Sequence, residues 1–173
     1  TPGAIMWVKL SSRPNSDEIA AVWLDANADI SAMIWNGSAW ENEPPIALET
    51  NAAYDAAIGD TEAFDLAYES LSGDLLIVFG SNAAVAPGYA LKLAESGEWV
   101  TGSVGIFNDE GSVISLSAEP NSNKIALNYI SEASQDVEVA IWDGEDDAWI
   151  ERYVDIDATG ATWATYTRHV DIG

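Results

Sequence analysis

An all-β fold built from repeated four-stranded antiparallel units is predicted by three observations. The first is a long-range internal repeat. Pro14-Asn15-Ser16 returns as Pro120-Asn121-Ser122 and Ile19-Ala20 as Ile125-Ala126, both 106 residues later, and Ile34-Trp35-Asn36-Gly37 returns as Ile141-Trp142-Asp143-Gly144 after 107. The second is a more divergent copy between these two. Ser72-Gly73-Asp74 stands where Ser16-Asp17 and Ser122-Asn123 stand, Leu76-Ile77-Val78-Phe79 follows, and the copy closes on Trp99, so that landmark tryptophans fall at 40, 99 and 149. The third is the local pattern: short β-prone runs bounded by Gly, Pro, Asn, Asp and Ser, with no window carrying a sustained helical stripe. Asn51 to Ala57, rich in Ala, is too short and lacks such a stripe, and reads as a loop.

Taken in order, the first copy predicts strands at Ile5–Ser11, Ile19–Leu24, Ile30–Trp35 and Ile46–Glu49. The second predicts Phe64–Glu69, Leu75–Phe79, Tyr89–Leu93 and Ser103–Phe107, and the third Val113–Ser117, Ile125–Ile130, Val137–Trp142 and Arg152–Ile156. Val137 to Ile141 alternates as a half-buried strand does, whereas Leu75 to Phe79 is apolar on both faces, as expected of a strand between two packed layers. Asn36-Gly37 and Asp143-Gly144 read as type I′ hairpin turns, in which both central residues need positive φ. A four-stranded meander has two apolar faces and cannot bury both alone; stacked neighbours bury them for one another. Four strands about every 50 residues with a fixed Trp are the signature of β-propeller blades.

The blades are expected near 4–50, 62–108 and 112–157 of a single repeat domain. Val170-Asp171-Ile172-Gly173 matches Phe64-Asp65-Leu66-Ala67 at the 106-residue spacing, so 163–173 reads as the start of a fourth blade. Closed propellers have about 4–8 blades, and the expectation is therefore a partial ring, completed by adjoining repeats of a longer protein or by other copies of the chain.

Composition narrows the partners. Six Lys plus Arg against 29 Asp plus Glu give a net charge of −23, which repels nucleic-acid phosphates and anionic lipid headgroups. Such acidity serves solubility in a salty setting or binding of divalent cations. Residues 75–91 are uncharged, yet Gly80, Ser81, Asn82, Pro87 and Gly88 break them into two short strands, so no membrane insertion is expected. There is no Cys, hence no disulfide frame and no thiolate chemistry. No signal-peptide pattern is present at Thr1-Pro2-Gly3.

The wording from Trp7 to Trp40, followed by Leu48-Glu49-Thr50-Asn51 and then by Phe64 to Gly80, resembles the roughly 100-residue tandem repeats of large bacterial and archaeal secreted or cell-surface proteins. In those repeats a PNSD-I-A and WDG-S-W half alternates with an FD-AYE-SGD half. The resemblance implies an extracellular or cell-surface location and a scaffold or binding role.

Three groups of residues are candidates for function. Asp143, Asp146 and Asp147 cluster hard oxygen ligands of the kind calcium takes, although the spacing is not that of a twelve-residue EF-hand loop. Asp65 and Asp171 fall at equivalent places in strands expected to line the axis, with Lys9 and Ser115 in comparable strands. There they would hold a cation or ligand, or bond to backbone amides. Trp40 and Trp149, with Trp35, Trp99 and Trp142, offer rings on which a sugar could stack, or packing between blades. A catalytic set does not recur: His169 is the single His, and Asp157 to Trp163 resembles the Asp-box turn of sialidase-like propellers with its Asp one place too early. The expected function is a non-catalytic scaffold, adhesion or binding module, with a propeller glycoside hydrolase or sialidase-like enzyme, or a self-assembling ring or filament subunit, as alternatives.

Overall fold

Each run of four consecutive strands folds back on itself as an antiparallel meander. The computed structural model describes residues 3–53, 62–107, 111–131 and 137–153. Blade 1 comprises β1 (Ile5–Ser12), β2 (Glu18–Asp25), β3 (Ile30–Asn36) and β4 (Trp40–Glu49). Blade 2 comprises β5 (Phe64–Tyr68), β6 (Leu75–Phe79), β7 (Gly88–Lys92) and β8 (Trp99–Ser103). Blade 3 comprises β9 (Gly111–Ala118), β10 (Lys124–Ser131), β11 (Val137–Asp143) and β12 (Ala148–Tyr153). In every sheet the strands lie side by side in chain order, and no helix occurs among the described residues. The strand predicted in 163–173 lies outside the described residues.

Two apolar layers join the three sheets. The first packs Val22, Leu24, Ile30 and Ile34 of blade 1 against Phe64, Leu66, Leu75 and Ile77 of blade 2. The second packs Leu76, Val78 and Leu91 of blade 2 against Ile114, Leu127, Tyr129 and Trp142 of blade 3. Blade 2 is thus the filling of a sandwich, and every residue of β6 is buried, which is why Leu75 to Phe79 is apolar on both faces. Each such side chain contributes about 1.5–3 kcal/mol by leaving water. In β11 Glu138, Ala140, Trp142 and the terminal Asp143 are buried, while Val137, Val139 and Ile141 are only half-buried. In a stack both faces of a blade are apolar, so alternation identifies the strand but not the face that is covered.

The outer strands differ from expectation. β4 begins at Trp40 rather than Ile46, and β12 at Ala148 rather than Arg152. β8 ends at Ser103, where a strand was expected to begin, and Val104 to Phe107 forms a turn closed by the Phe107 amide on the Val104 carbonyl at 3.0 Å. The landmark Trp is part of the ladder: Trp40 pairs with Trp35, Trp99 with Lys92 and Trp149 with Trp142. The indoles of Trp35 and Trp40 meet edge-on at 5.7 Å, those of Trp142 and Trp149 at 5.4 Å. The tryptophan that recurs in each copy is therefore a cross-strand partner.

The hairpin turns are corrected too. At Asn36-Gly37 only Gly37 has positive φ, +94°, and the Asn36 carboxamide oxygen accepts the amides of Ser38 and Ala39, each at 3.0 Å. In the other turn the left-handed residue is Asp147, φ +50°, and not Asp143 or Gly144. The loops are three residues (37–39) and four residues (144–147) long, each capped by an Asn or Asp side chain, which supplies locally the acceptors that a type I′ turn would not need.

Candidate functional site

The first strand of each blade is an edge strand of its sheet, and neighbouring first strands meet, β1 with β5 and β5 with β9. The Glu62 carbonyl ahead of β5 accepts the Ile114 amide of β9 at 3.1 Å. Alternation along β1 places Trp7 against the first apolar layer and sends Lys9, on the same face, over the Phe64 ring at 5.8 Å. There the Lys9 ammonium meets two carboxylates, Glu62 at 3.3 Å and Asp65 at 3.4 Å. Asp65 also ties the blades together: Oδ1 accepts the Leu66 amide at 2.9 Å and Oδ2 the Leu116 amide of β9 at 2.7 Å.

Asp65 holds its proton to higher pH than an ordinary aspartate. Burial is the main cause, opposed by the charge of Lys9 and by the two amides. The expectation that Asp65 either holds a cation or bonds to backbone amides resolves into amide bonds plus an ammonium. Two oxygens offer about four lone-pair positions, of which the two amides and the ammonium take three.

Two further polar clusters lie between blades. The Tyr68 hydroxyl donates to Glu18 at 3.0 Å, and Glu18 lies 3.7 Å from Arg13 and 3.6 Å from Lys92. Burial first, and the charge of Glu18 second, push the Tyr68 hydroxyl far above its usual range. Between blades 2 and 3, fully buried Glu69 accepts the Trp142 indole N–H at 2.8 Å and the Ser72 hydroxyl at 2.5 Å.

The remaining sequence candidates are dispersed. Asp143 takes the Lys124 ammonium and accepts the Glu145 amide at 3.1 Å, and these bonds hold its carboxyl below the usual range. Asp146 and Asp147 are exposed members of the same turn, and among the described residues no three His, Cys, Asp or Glu converge on a metal position. Trp149 packs in the second layer beside Tyr89 at 6.2 Å, whereas Trp40 is 43% exposed on the far side of blade 1. Asp171, His169 and Asp157 to Trp163 lie outside the described residues.

Sequence reasoning missed Glu62 and Glu69 and placed Lys9 without its partners. One signal was available for Lys9: with six basic side chains among 29 acidic ones, a lysine in an inner strand is bound to be claimed by carboxylates. The same imbalance makes salt a direct test. Raising NaCl from about 0.05 M to about 0.5 M is expected to raise the melting temperature, since the Debye length shrinks to a few ångströms and the repulsion of 23 surplus charges fades. Scanning calorimetry at the two salt levels reads this; a lower melting temperature in high salt would mean that ion pairs outweigh repulsion.

Neither a family model nor a curated protein matches the sequence. Among solved structures, the fold is similar to that of an exo-β-1,3-galactanase from Phanerochaete chrysosporium, solved with β-1,3-galactotriose. The TM-score is 0.53 at 13% identity, over 88% of this chain and 38% of that one. The fold is accordingly all-β and propeller-like, and the chain spans well under half the length of the enzyme it matches. The expectation of a non-catalytic scaffold or adhesion module is corrected by this finding: the solved structure that shares the fold is an enzyme. Recurrence of framework residues had suggested a passive role, but recurrence reports packing and says nothing of what a non-repeating inner-edge residue such as Glu62 can do.

Proposed function

We propose that the chain forms part of a propeller hydrolase acting on a glycan, with Glu62 and Asp65 as its carboxylates and Lys9 between them. The observation that carries this is the convergence of the two acids on one ammonium, at 3.3 and 3.4 Å, at the inner edges of the blades. Two oxygens that close to one nitrogen are at most about 7 Å apart, which does not exceed the roughly 5–10 Å over which paired carboxyl groups flank a glycosidic bond. Asp65, its proton retained by burial, has the character of the donor to the leaving oxygen. Glu62 would serve as base or nucleophile, and Lys9 would keep the pair together against their mutual repulsion. We place the chain in a longer secreted or cell-surface protein of tandem repeats, whose further blades complete the ring.

Glu62→Gln tests the reading without removing the ties that Asp65 makes. Turnover of β-linked galacto-oligosaccharides and aryl glycosides by the intact protein is expected to fall by about 10²–10⁴-fold, with the melting temperature unchanged. Equal turnover by the variant, or none by the parent across a glycan panel, would reject it.

A further inference from the structure

The outward face of blade 1 is apolar and open. Met6, Val8 and Leu10 of β1 are 40%, 56% and 66% exposed, and the register places Trp23, Met33 and Trp35 on the same face as Val8 and Leu10. An uncovered sheet face with this many large apolar side chains marks an interaction surface. The internal repeat says what covers it. Counting 106 residues on from Val8, Leu10 and Trp23, and 107 from Trp35, leads to Ile114, Leu116, Tyr129 and Trp142. These are the residues by which blade 3 packs on blade 2.

The correspondence extends to hydrogen bonds. The β9–β10 turn of blade 3 has Asn121 at φ +58° and the Lys124 amide on the Ser122 hydroxyl at 3.0 Å. The β1–β2 turn of blade 1 has Asn15 at φ +55° and the Glu18 amide on the Ser16 hydroxyl at 3.1 Å. In blade 3 that turn receives blade 2: the Ser122 carbonyl accepts the Ser70 amide at 3.0 Å, and the Asn123 side chain accepts the Ser72 amide at 2.9 Å. Ser16 and Asp17 occupy the same places in blade 1 and are exposed. Tyr89 stands against the Trp142 and Trp149 pair at 5.4 and 6.2 Å and Glu69 accepts the Trp142 indole N–H, while Trp35 and Trp40 form the same edge-on pair on the open side.

We infer that the open face of blade 1 is the docking site for a further blade of the β5–β8 kind, from an adjoining repeat. That blade presents an aromatic ring to the Trp35–Trp40 pair, a glutamate to the Trp35 indole N–H, and a Ser-x-Ser turn to Ser16 and Asp17. In the one fully described instance, the blade that covers this face is the one preceding it in the repeat order, blade 2 before blade 3. The inference concerns assembly and is independent of the hydrolytic reading.

The test joins a second copy of residues 62–106 ahead of Thr1 in the full chain, the join that reproduces the 106-residue spacing. Amide hydrogen exchange of β1 and β2 is expected to slow by about tenfold or more relative to the unextended chain, and Leu10→Glu is expected to abolish that protection in the extended chain while leaving the unextended chain's melting temperature unchanged. Unchanged exchange in β1 and β2, or free-peptide exchange across the added blade, overturns the inference. Sedimentation of the unextended chain supplies a second reading. A monomer agrees with the inference; a dimer whose β1 amides are protected, and which Leu10→Glu dissociates, makes a second copy the occupant and overturns it. Protection of β1 in the unextended chain by β-1,3-galactotriose alone, assigning the tryptophan face to sugar, overturns it equally.

Discussion

Trp142→Ala is expected to lower the free energy of unfolding by about 3–5 kcal/mol, the range for truncating a large buried aromatic. Trp142 is 1% exposed, lies against Tyr89 of blade 2 and Trp149 of its own blade, and donates its indole N–H to Glu69. The substitution leaves a cavity in the second apolar layer and strips a donor from a buried carboxylate, and the second loss adds to the first. Trp35→Ala, its counterpart in blade 1, is expected to cost about 1–2 kcal/mol in the same chain, because the face it stands on is uncovered and water already reaches it. Urea denaturation of the two variants reads the difference. Equal losses would mean that the two faces are equally packed and would contradict the openness of blade 1.

Glu69 has the second large effect and the clearer pH signature. Burial raises its proton affinity, opposed by the hydrogen bonds from Ser72 and Trp142. The folded state thus retains a proton over a pH range in which the unfolded chain has released it. A group of this sign stabilises the fold below the ordinary glutamate range, and its contribution is lost as pH rises through the raised folded value. Glu69→Gln keeps an acceptor for the indole and removes the charge, so the decline in stability as pH rises above the ordinary glutamate range should become shallower than in the parent, with equal or higher stability at pH 7. Glu69→Ala orphans both donors and is expected to cost about 2–4 kcal/mol at either pH. Asp65 acts in the same direction, so the comparison is one of slopes between variant and parent, obtained from urea unfolding at several pH values. A steeper slope in Glu69→Gln would sink the assignment.

Gly144 shows how narrowly this latch is built. A Cβ placed there would run into the Glu69 carboxyl group, so the glycine of the Trp-Asp-Gly turn serves close approach of blade 2 rather than a left-handed turn. Asp143, beside it, is taken up by Lys124. The acidic turn with its three aspartates therefore closes a hairpin, and the tryptophan next to it is what reaches the neighbouring blade.

Much of the architecture was legible because it is periodic. The 106-residue recurrence and the tryptophan spacing determined the all-β class and the division into meanders of four strands, and the unbroken apolar run Leu75 to Phe79 marks a strand packed on both faces. These features follow from short-range chemistry, in which β-branched and aromatic runs favour extended chain and Gly, Asn and Asp interrupt it. What only the tertiary structure decided were the partnerships between blades: Lys9 with Glu62 and Asp65, Glu69 with Trp142, and Asp65 with the Leu116 amide, 51 residues away. None of these has a local signal, because a carboxylate's partner is set by which strand edges the stacking brings within about 3 Å. Which face of a blade is covered is likewise decided by stacking. The repeat writes nearly the same apolar residues into blades 1 and 3, and because blade 2 covers this face in blade 3 but the opposite face in blade 1, it is a core only in blade 3.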